Sequence, residues 1–345
     1  MSQEPSYQKY DPSWGANPIP PVPEIPLYHF LKEQARKNPQ KDAVIFFHKK
    51  NTYKELDELS DRVAHFLVKN GVKKGDRVAT MLPNCTQHVI IFYGILKAGA
   101  VIVPFNVMLK ADEISYILEE SGSKILFCID LLFPVVKPVA DKLKIAPVVT
   151  VHVKDFSEPT ANIPPLLAGE KSVPDGAVDF MKVISEDKGA FSPVAIDPRK
   201  DLVMLLYTSG TTGFPKGAMI SHYNFAATCV NTEILGVGEK DIFIVLFPLF
   251  HVAGYSLGVL LTVYKGLTAV LVPRFDPDDM LSLIERFKVS VIFCPPTAFI
   301  GLLNAPDFKK YDLSSIRITV ACGAPVPTPL QKEWEEKVGT YLYNG

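Results

Sequence analysis

The sequence carries almost no net charge and no cluster of basic residues. Its 345 residues include 36 Lys and Arg against 37 Asp and Glu, a formal net charge of -1. A nucleic acid backbone is held by the positive field of clustered Lys and Arg, which scattered charges of both signs do not supply. The composition therefore argues against a nucleic-acid partner.

Cysteine is scarce, and its positions show no framework. The five cysteines are odd in number and far apart: Cys85, Cys128, Cys229, Cys294 and Cys322. Most of them stand inside apolar runs, such as the run that ends at Cys294. This pattern favours buried thiols in a reducing cytoplasm over disulfides or a zinc site, so we expect a cytoplasmic protein.

Long hydrophobic runs are missing from the start of the chain and from its interior. Residues 1–25 are polar and Pro-rich, which predicts a mobile arm rather than a signal peptide. The most apolar stretch, 252–264, is shorter than the roughly 20 residues that span a bilayer, and Lys265 closes it. We therefore expect a core helix there and no integral membrane segment.

Hydrophobic residues make up 48% of the chain, enough for one large core or two fused smaller ones. Thr52 and Glu55 form a capping box that predicts a helix start. Helices are also predicted over 88–97 and 112–120. Strand-like runs alternate with such helices: RVATML, AVIVP, KILFCI, DLVMLLY, DIFIVLF, LTAVLV, VSVIFC, IRITVA and TYLYN. Alternation of this kind predicts an α/β fold with parallel sheets. Residues 155–198, rich in Pro, Gly, Ser and Asp, are predicted to be a surface connection between two lobes.

The most informative segment is YTSGTTGFPKG, residues 207–217, which follows a strand-like run. Ligands of open α/β sheets sit beyond the carboxyl ends of strands, where loop amides and helix N-termini are free. Its glycines allow close approach of the backbone, and its hydroxyls and one cation suit phosphate oxygens or a metal. These residues are Thr208, Ser209, Gly210, Thr211, Thr212, Gly213, Lys216 and Gly217. The spacing is not that of a Walker A loop. A plain Gly-rich turn before a helix after Ser221 is the alternative interpretation.

The whole string resembles the signature loop of the adenylate-forming superfamily, and the chain looks closest to the fatty acyl-CoA synthetases. Further segments agree in order over residues 26–345: GDRVATMLPN, ILKAGAVIVPFN, EISYILEESGSKILF, PLFHVAG, FDPDDMLSLIERFKVSVIFCPP and CGAPV. The resemblance implies two stacked, mostly parallel sheets with flanking helices, as in the large N-terminal domain of that family. The family's small C-terminal domain is expected to be absent from this sequence.

The resemblance also implies an activity with ATP, Mg²⁺ and coenzyme A. A fatty carboxylate would attack the α-phosphorus of ATP to give acyl-AMP and pyrophosphate, and coenzyme A would then displace AMP. Loop residues 208–213 would contact phosphate, with Thr208 next to the metal and Lys216 near pyrophosphate. Such loop contacts stabilise charge that develops on the phosphates.

A histidine and two glycines mark a second segment. In similar enzymes the residue that matches His251 lies near the reacting carboxylate, so we expect it to position substrate rather than act as a general base. Val252, Gly254 and Gly258 are expected to line the acyl pocket, because the glycines leave room. A structural histidine and ordinary helix packing are the alternatives. The Asp that pairs with an amino-acid ammonium in peptide synthetases is missing from PLFHVAG, which favours an acid without an α-amine.

Two turns near the end of the chain complete the expected nucleotide site. The resemblance implies that Gly323, Ala324 and Pro325 pack against adenine and the acyl carbonyl. Asn344 and Gly345 match the start of an adenine-binding motif whose remaining residues do not follow in this sequence. Two other functions are therefore retained: a nucleotide-binding module without turnover, and a ligase for an aryl acid such as 4-coumarate. The signature loop does not separate them.

Overall fold

The computed structural model describes residues 19–159, 161–186, 188–208 and 214–345. Most of the predicted N-terminal arm and residues 209–213 of the signature loop lie outside these ranges. The described residues form 14 strands. In chain order these are β1 Asp42–Phe46, β2 Lys49–Thr52, β3 Arg77–Met81, β4 Val101–Pro104, β5 Ile125–Ile129, β6 Val148–Val151, β7 Ala177–Asp179, β8 Leu202–Tyr207, β9 Gly217–Ser221, β10 Ile242–Val245, β11 Thr268–Leu271, β12 Val291–Cys294, β13 Ile318–Ala321 and β14 Leu342–Asn344.

Eleven α-helices and one π-helix, Gly254–Leu261, connect the strands within the described ranges. The α-helices are α1 Tyr28–Lys37, α2 Tyr53–Lys69, α3 Thr86–Lys97, α4 Ala111–Ser121, α5 Phe133–Lys142, α6 Phe180–Val183, α7 His222–Asn231, α8 Thr262–Lys265, α9 Pro277–Phe287, α10 Pro296–Leu303 and α11 Thr328–Val338. The capping box predicted at Thr52 and Glu55 begins α2, and Ser221 forms another with Asn224 at α7. In each case side chains bond the first free amides of the helix.

The strands form two sheets of seven. Sheet A has the order β14-β13-β12-β10-β11-β1-β2, and sheet B has the order β7-β6-β5-β3-β4-β8-β9. Neighbouring strands are parallel except for the antiparallel hairpins β1–β2 and β8–β9 at one edge of each sheet. The predicted α/β class with two parallel-rich sheets is therefore confirmed.

The core lies in three layers that the alternation of side chains along each strand explains. Phe243 and Val245 of sheet A and Phe127 of sheet B belong to a central cluster between the sheets, together with residues of α1, α2, α3, α7 and the π-helix. Side chains of the opposite strand faces join the outer layers instead, as Ile244 does with α9, α10 and α11. The outer face of sheet B packs on α4 and α5. Strands buried on both faces explain the continuous apolar runs of the sequence.

The predicted division into two successive lobes needs correction. β1 and β2 come early in the chain but complete sheet A, whereas β8 and β9 come after the predicted connection and complete sheet B. The segment 155–198 is also more than a surface connection, because it contributes β7 to sheet B and the buried Phe180 of α6. Each sheet is completed at one edge by two strands from the other half of the chain, so the order of the strands in the sequence does not show which sheet they belong to.

The apolar stretch 252–264 is a core helix, as predicted, although most of it is a π-helix. No helix in the described ranges is both long and apolar enough to cross a bilayer. The cysteines are buried as expected, apart from the partly exposed Cys322.

Candidate functional site

The signature segment forms the tip of the β8–β9 hairpin at the carboxyl end of β8. The last paired residues are Tyr207 and Gly217, and beyond them the backbone N–H of Thr208 donates to the carbonyl of Lys216 over 3.1 Å. Both residues are exposed. The hairpin thus brings the predicted metal neighbour and the predicted cation side by side at the base of the loop. Ser209, Gly210, Thr211, Thr212 and Gly213 lie outside the described residues.

The helix expected after Ser221 begins at His222, and β9 lies between it and the loop. Because β9 runs antiparallel to β8, with Leu202 opposite Ser221, the start of α7 lies at the amino end of β8. The N-terminus of that helix therefore does not face the loop.

The C-terminal side of the loop contacts α4. The Tyr116 ring stacks on Phe214, with centroids 5.2 Å apart and an interplanar angle of 23°. The Tyr116 hydroxyl also donates to the carbonyl of Pro215 over 3.1 Å. Phe214 is otherwise 76% exposed. This contact ties the residues just before Lys216 to the rigid body of sheet B.

His251 lies in the loop between β10 and the π-helix, with its side chain exposed. Its backbone N–H donates to Pro248 O over 2.9 Å, and its Nδ1 accepts from the Ala253 N–H over 3.2 Å. An Nδ1 that accepts this bond leaves the ring proton on Nε2. His251 therefore presents an Nε2–H donor, which can bind a carboxylate or phosphate oxygen.

The two glycines after His251 do not leave room for a ligand, which corrects the prediction for the acyl pocket. A Cβ on Gly254 would lie 2.1 Å from the Pro248 carbonyl oxygen, and a Cβ on Gly258 would lie 2.4 Å from Val245 Cγ1. The space beside each glycine is already filled, so they allow the π-helix to pack closely against the preceding loop and strand. Val252 is 39% exposed, and its role stays a prediction.

A buried asparagine from sheet B bonds the loops of sheet A. Asn84, which follows β3 and is 3% exposed, directs its Nδ2 at the carbonyls of Val245, Phe247 and Val272, at 3.3, 3.0 and 3.0 Å. Its Oδ1 accepts from the Leu249 N–H over 2.8 Å. One side chain thus joins the backbone after β10 to the backbone after β11.

A buried histidine makes a second link between the sheets one turn later. His88 Nε2 lies 2.7 Å from the hydroxyl of Tyr255 in the π-helix, and His88 Nδ1 lies 3.2 Å from the carbonyl of Pro83. Burial lowers the pKa of His88 to about 4. The ring is therefore neutral near pH 7, donating from Nδ1 and accepting the Tyr255 O–H at Nε2.

The two turns predicted to hold adenine are neighbours. Gly323, Ala324 and Pro325 form an exposed turn after β13, where Gly323 adopts φ +88°, a conformation that favours glycine. Asn344 is paired with Ala321 in the sheet, and the Gly345 N–H donates to Ala321 O over 2.8 Å. The end of the chain therefore lies beside this turn. These residues belong to sheet A, whereas the signature hairpin belongs to sheet B.

An apolar cleft of 360 Å³ opens at the carboxyl edge of sheet A. It is lined by the loops that follow three adjacent parallel strands, β10, β12 and β11. The lining residues are Leu246, Phe247, Pro248, Pro273, Arg274, Phe275, Pro295, Thr297 and Ala298. Arg274 and Thr297 are the polar members, and no carboxylate lines this cleft within the described part of the chain. The cleft shares Pro248 with the turn that carries His251.

Sequence reasoning missed Asn84, His88 and Tyr116, although all three lie in or beside segments that carry the resemblance. Asn84 could have been identified from the sequence, because the amide of a polar residue that follows a buried strand and a proline needs hydrogen-bond partners. Its partners are backbone groups about 160 residues further along the chain, as the separations of 161 and 163 residues to Val245 and Phe247 show. No pattern in the sequence identifies such partners.

Comparison with known proteins agrees with this geometry. The family model described as AMP-binding enzyme matches residues 31–345. The long-chain-fatty-acid–CoA ligase of Bacillus subtilis (strain 168) is 33% identical over 364 residues, covering 100% of this chain and 63% of that protein. A feruloyl-CoA synthase of Amycolatopsis sp is 33% identical over 306 residues, covering 88% of this chain and 55% of that protein.

The fold is also found among solved structures. ATP-bound MatB from Rhodopseudomonas palustris superimposes with a TM-score of 0.79 at 27% identity, over 94% of this chain and 60% of that one. This chain thus spans less than two thirds of the length of these relatives. Since the family model matches nearly the whole chain, the chain belongs to the AMP-binding enzyme family and is homologous to long-chain-fatty-acid CoA ligases.

Proposed function

We propose that this chain binds ATP and a fatty acid and forms acyl-AMP, the first step of an ATP-dependent acyl-CoA ligase. The observation that carries the choice of acid is the apolar cleft at the carboxyl edge of sheet A, next to the His251 loop. Its 360 Å³ falls within the roughly 300–1,000 Å³ that is usual for small-molecule sites. A lining without carboxylates suits an acyl chain and offers no partner for an amino-acid ammonium.

The reaction brings together two anions, and the described residues have groups suited to that task. A carboxylate oxygen attacks the α-phosphorus of ATP, a new P–O bond forms, and the bond to pyrophosphate breaks. Lys216 would neutralise phosphate charge at the base of the loop, and the Thr208 hydroxyl would bond a phosphate oxygen. The His251 Nε2–H would hold the carboxylate in place, which lowers the entropic part of the barrier.

A magnesium ion would supply further charge neutralisation on the phosphates. Within the described ranges, no group of three or more His, Cys, Asp or Glu side chains could hold a metal ion. A Mg²⁺ ion that accompanies ATP is held largely by the phosphates and water, and the hydroxyl of Thr208 would be a further oxygen ligand. Coenzyme A would take part in the second step, in which its thiolate displaces AMP.

A ligase for an aryl acid is the second candidate, because the feruloyl-CoA synthase is as identical to this chain as the fatty-acid ligase is. The cleft contains Phe247 and Phe275, whose rings could pack on an aromatic acid as well as on an acyl chain. A panel of acids separates the two candidates. Medium-chain and long-chain fatty acids are compared with ferulate and 4-coumarate.

The test begins with calorimetric titration of the chain with ATP·Mg²⁺ and continues with pyrophosphate release in the presence of each acid. Release that depends on a fatty acid supports the proposal, and release with ferulate alone replaces it with the aryl candidate. Binding of ATP without release for any acid would identify a nucleotide-holding module. Absence of ATP binding would contradict the assignment of the signature loop in this chain.

A further inference from the structure

We propose that Asn84 is a positioning residue that holds the His251 loop at the carboxyl edge of sheet A. The role rests on the proposed function, since the reason to fix His251 is the substrate that it would contact. Asn84 itself is buried and touches backbone, so it would act through residues 245–249 and not on a substrate.

The chemistry at this position calls for an amide. Three carbonyls converge on Nδ2 while one backbone N–H points at Oδ1, so the side chain has to donate on one side and accept on the other. An aspartate would accept only and would bring its charge against the three carbonyl oxygens. An alanine would leave buried polar groups without partners, which is unfavourable.

The hydrogen bonds of Asn84 lie where they can fix the position of His251. Its partners Phe247 and Leu249 precede His251 by a few residues, and the link from His88 to Tyr255 fixes the chain a few residues after it. Between these anchors, Gly254 lies directly against the Pro248 carbonyl. His251 is therefore carried by a short turn held at both ends by residues of the β3–α3 segment of sheet B.

The turn also borders a π-helix, a geometry that recurs at functional sites. The exposed His251 bonds Pro248 and Ala253 within the turn, and its carbonyl accepts the N–H of Tyr255 at the start of the π-helix over 3.3 Å. A shift of the turn would therefore move the His251 Nε2 with it. Misplacement of a binding group by about 1 Å can reduce a rate by about 100-fold.

The first experiment is hydrogen–deuterium exchange on the full chain carrying Asn84→Ala or Asn84→Asp. Gln87→Ala is the matched control, since Gln87 is also buried in the same segment but its amide bonds the carbonyl of His152 and not the turn. We expect faster exchange over residues 246–253 in both Asn84 variants and unchanged exchange there in the control. Unchanged exchange over 246–253 in Asn84→Ala would overturn the proposal.

The second experiment separates positioning from a general loss of stability. Asn84→Ala and Gln87→Ala are each combined with His251→Ala, and acid-dependent pyrophosphate release is measured at a temperature where every variant is folded. If Asn84 acts through His251, Asn84→Ala and His251→Ala each reduce the rate of pyrophosphate release by about 10- to 100-fold, and the double variant is no slower than His251→Ala alone. For Gln87→Ala and His251→Ala, the two reductions in rate should multiply. Multiplying losses for Asn84 and His251 would overturn the proposal.

The exchange experiment does not need activity, so failure of the proposed reaction is recognised separately. If the unmodified chain releases no pyrophosphate with any acid, the proposed function fails while the exchange result still decides whether Asn84 holds the turn. The same double-variant cycle is then measured from the Kd of a non-hydrolysable acyl sulfamate of adenosine, with the same two outcomes.

Discussion

The backbone N–H of Thr208 donates to the carbonyl of Lys216 over 3.1 Å, so the two ends of the signature loop are joined. Below them, β8 and β9 are paired from Leu202–Ser221 to Tyr207–Gly217. The loop therefore lies within a hairpin and not at a strand-to-helix turn. The predicted binding residues Thr208 and Lys216 are placed by that hairpin, and Phe214 beside them contacts Tyr116.

Replacement of Lys216 by alanine should weaken ATP binding without unfolding the protein. Lys216 is exposed, so we expect a change in unfolding free energy of at most about 0.5 kcal/mol. A hydrogen bond to a charged group contributes about 1.5–3 kcal/mol, which corresponds to a loss of about 10- to 100-fold in the affinity for ATP. Calorimetric titration with ATP·Mg²⁺ measures this loss. Lys200→Ala, another exposed lysine, is the control and should bind normally.

Tyr116 should support the same loop from the side. Tyr116→Phe keeps the ring stacked on Phe214 but removes the hydrogen bond to Pro215, whereas Tyr116→Ala removes both contacts. We expect ATP affinity to decrease in the order wild type, Tyr116→Phe, Tyr116→Ala, with about 0.5–1.5 kcal/mol for the hydrogen bond. Equal affinities in all three proteins would show that the C-terminal side of the loop does not depend on α4.

Nine of the fourteen described strands could be predicted from strong apolar runs in the sequence, whereas β1, β2, β6, β7 and β9 were not predicted. The capping box at Thr52 marked the start of α2, and each predicted strand run contains an observed strand. Helix ends differ by one or two residues, as for α3, which begins at Thr86 instead of residue 88. The exchange of edge strands between the halves was not predictable, because hydrophobic patterns report burial and do not identify the neighbouring strand.

The site was predicted less completely than the fold, for a related reason. Residue type identified Lys216 and the resemblance identified His251 as candidates, but Tyr116 and Asn84, which bond the loops around them, are distant in sequence. The glycines show the limit clearly: Gly258 was interpreted as open space, and the structure fills that space with Val245. A missing side chain signals a close approach, and only the fold tells whether a ligand or another part of the protein makes it.

Two buried histidines should make the protein less stable as the medium becomes acidic. Burial lowers the pKa of His88 and of His222 from 6.5 to about 4. Between these values the unfolded chain binds protons that the folded chain does not, so the unfolding free energy decreases as the pH falls from about 6.5 to about 4. Above pH 6.5 neither histidine contributes a pH dependence. Urea unfolding at pH 7.5, 6.0 and 5.0 measures the trend.

Replacement of His222 tests whether this histidine contributes to the pH dependence of the unfolding free energy. His222 accepts the Leu27 N–H at Nδ1, a bond that the amide oxygen of glutamine can also accept. His222→Gln should therefore fold, and its loss of stability between pH 7.5 and 5.0 should be smaller than in the unmodified protein. An unchanged dependence on pH would show that folding does not lower the pKa of His222.

Gly258 and Val245 should form a pair whose substitutions compensate. A Cβ on Gly258 would lie 2.4 Å from Val245 Cγ1, so Gly258→Ala should cost about 1–3 kcal/mol of unfolding free energy. Val245→Ala removes the obstructing methyl group, and the double variant should be more stable than the sum of the single changes predicts, by about 0.5–3 kcal/mol. Urea unfolding of the four proteins measures this coupling.

Two further glycines serve as controls for this pair. A Cβ on Gly238 meets no atom within 4 Å, so Gly238→Ala combined with Val245→Ala should give additive changes in unfolding free energy. A Cβ on Gly254 would meet the backbone of Pro248 and Leu249, which no side-chain truncation removes, so Val245→Ala should not rescue Gly254→Ala. Additive changes for Gly258 and Val245 would mean that the π-helix can move away from β10. The space beside Gly258 would then be available to a ligand after all, and the original prediction for the acyl pocket would regain its basis.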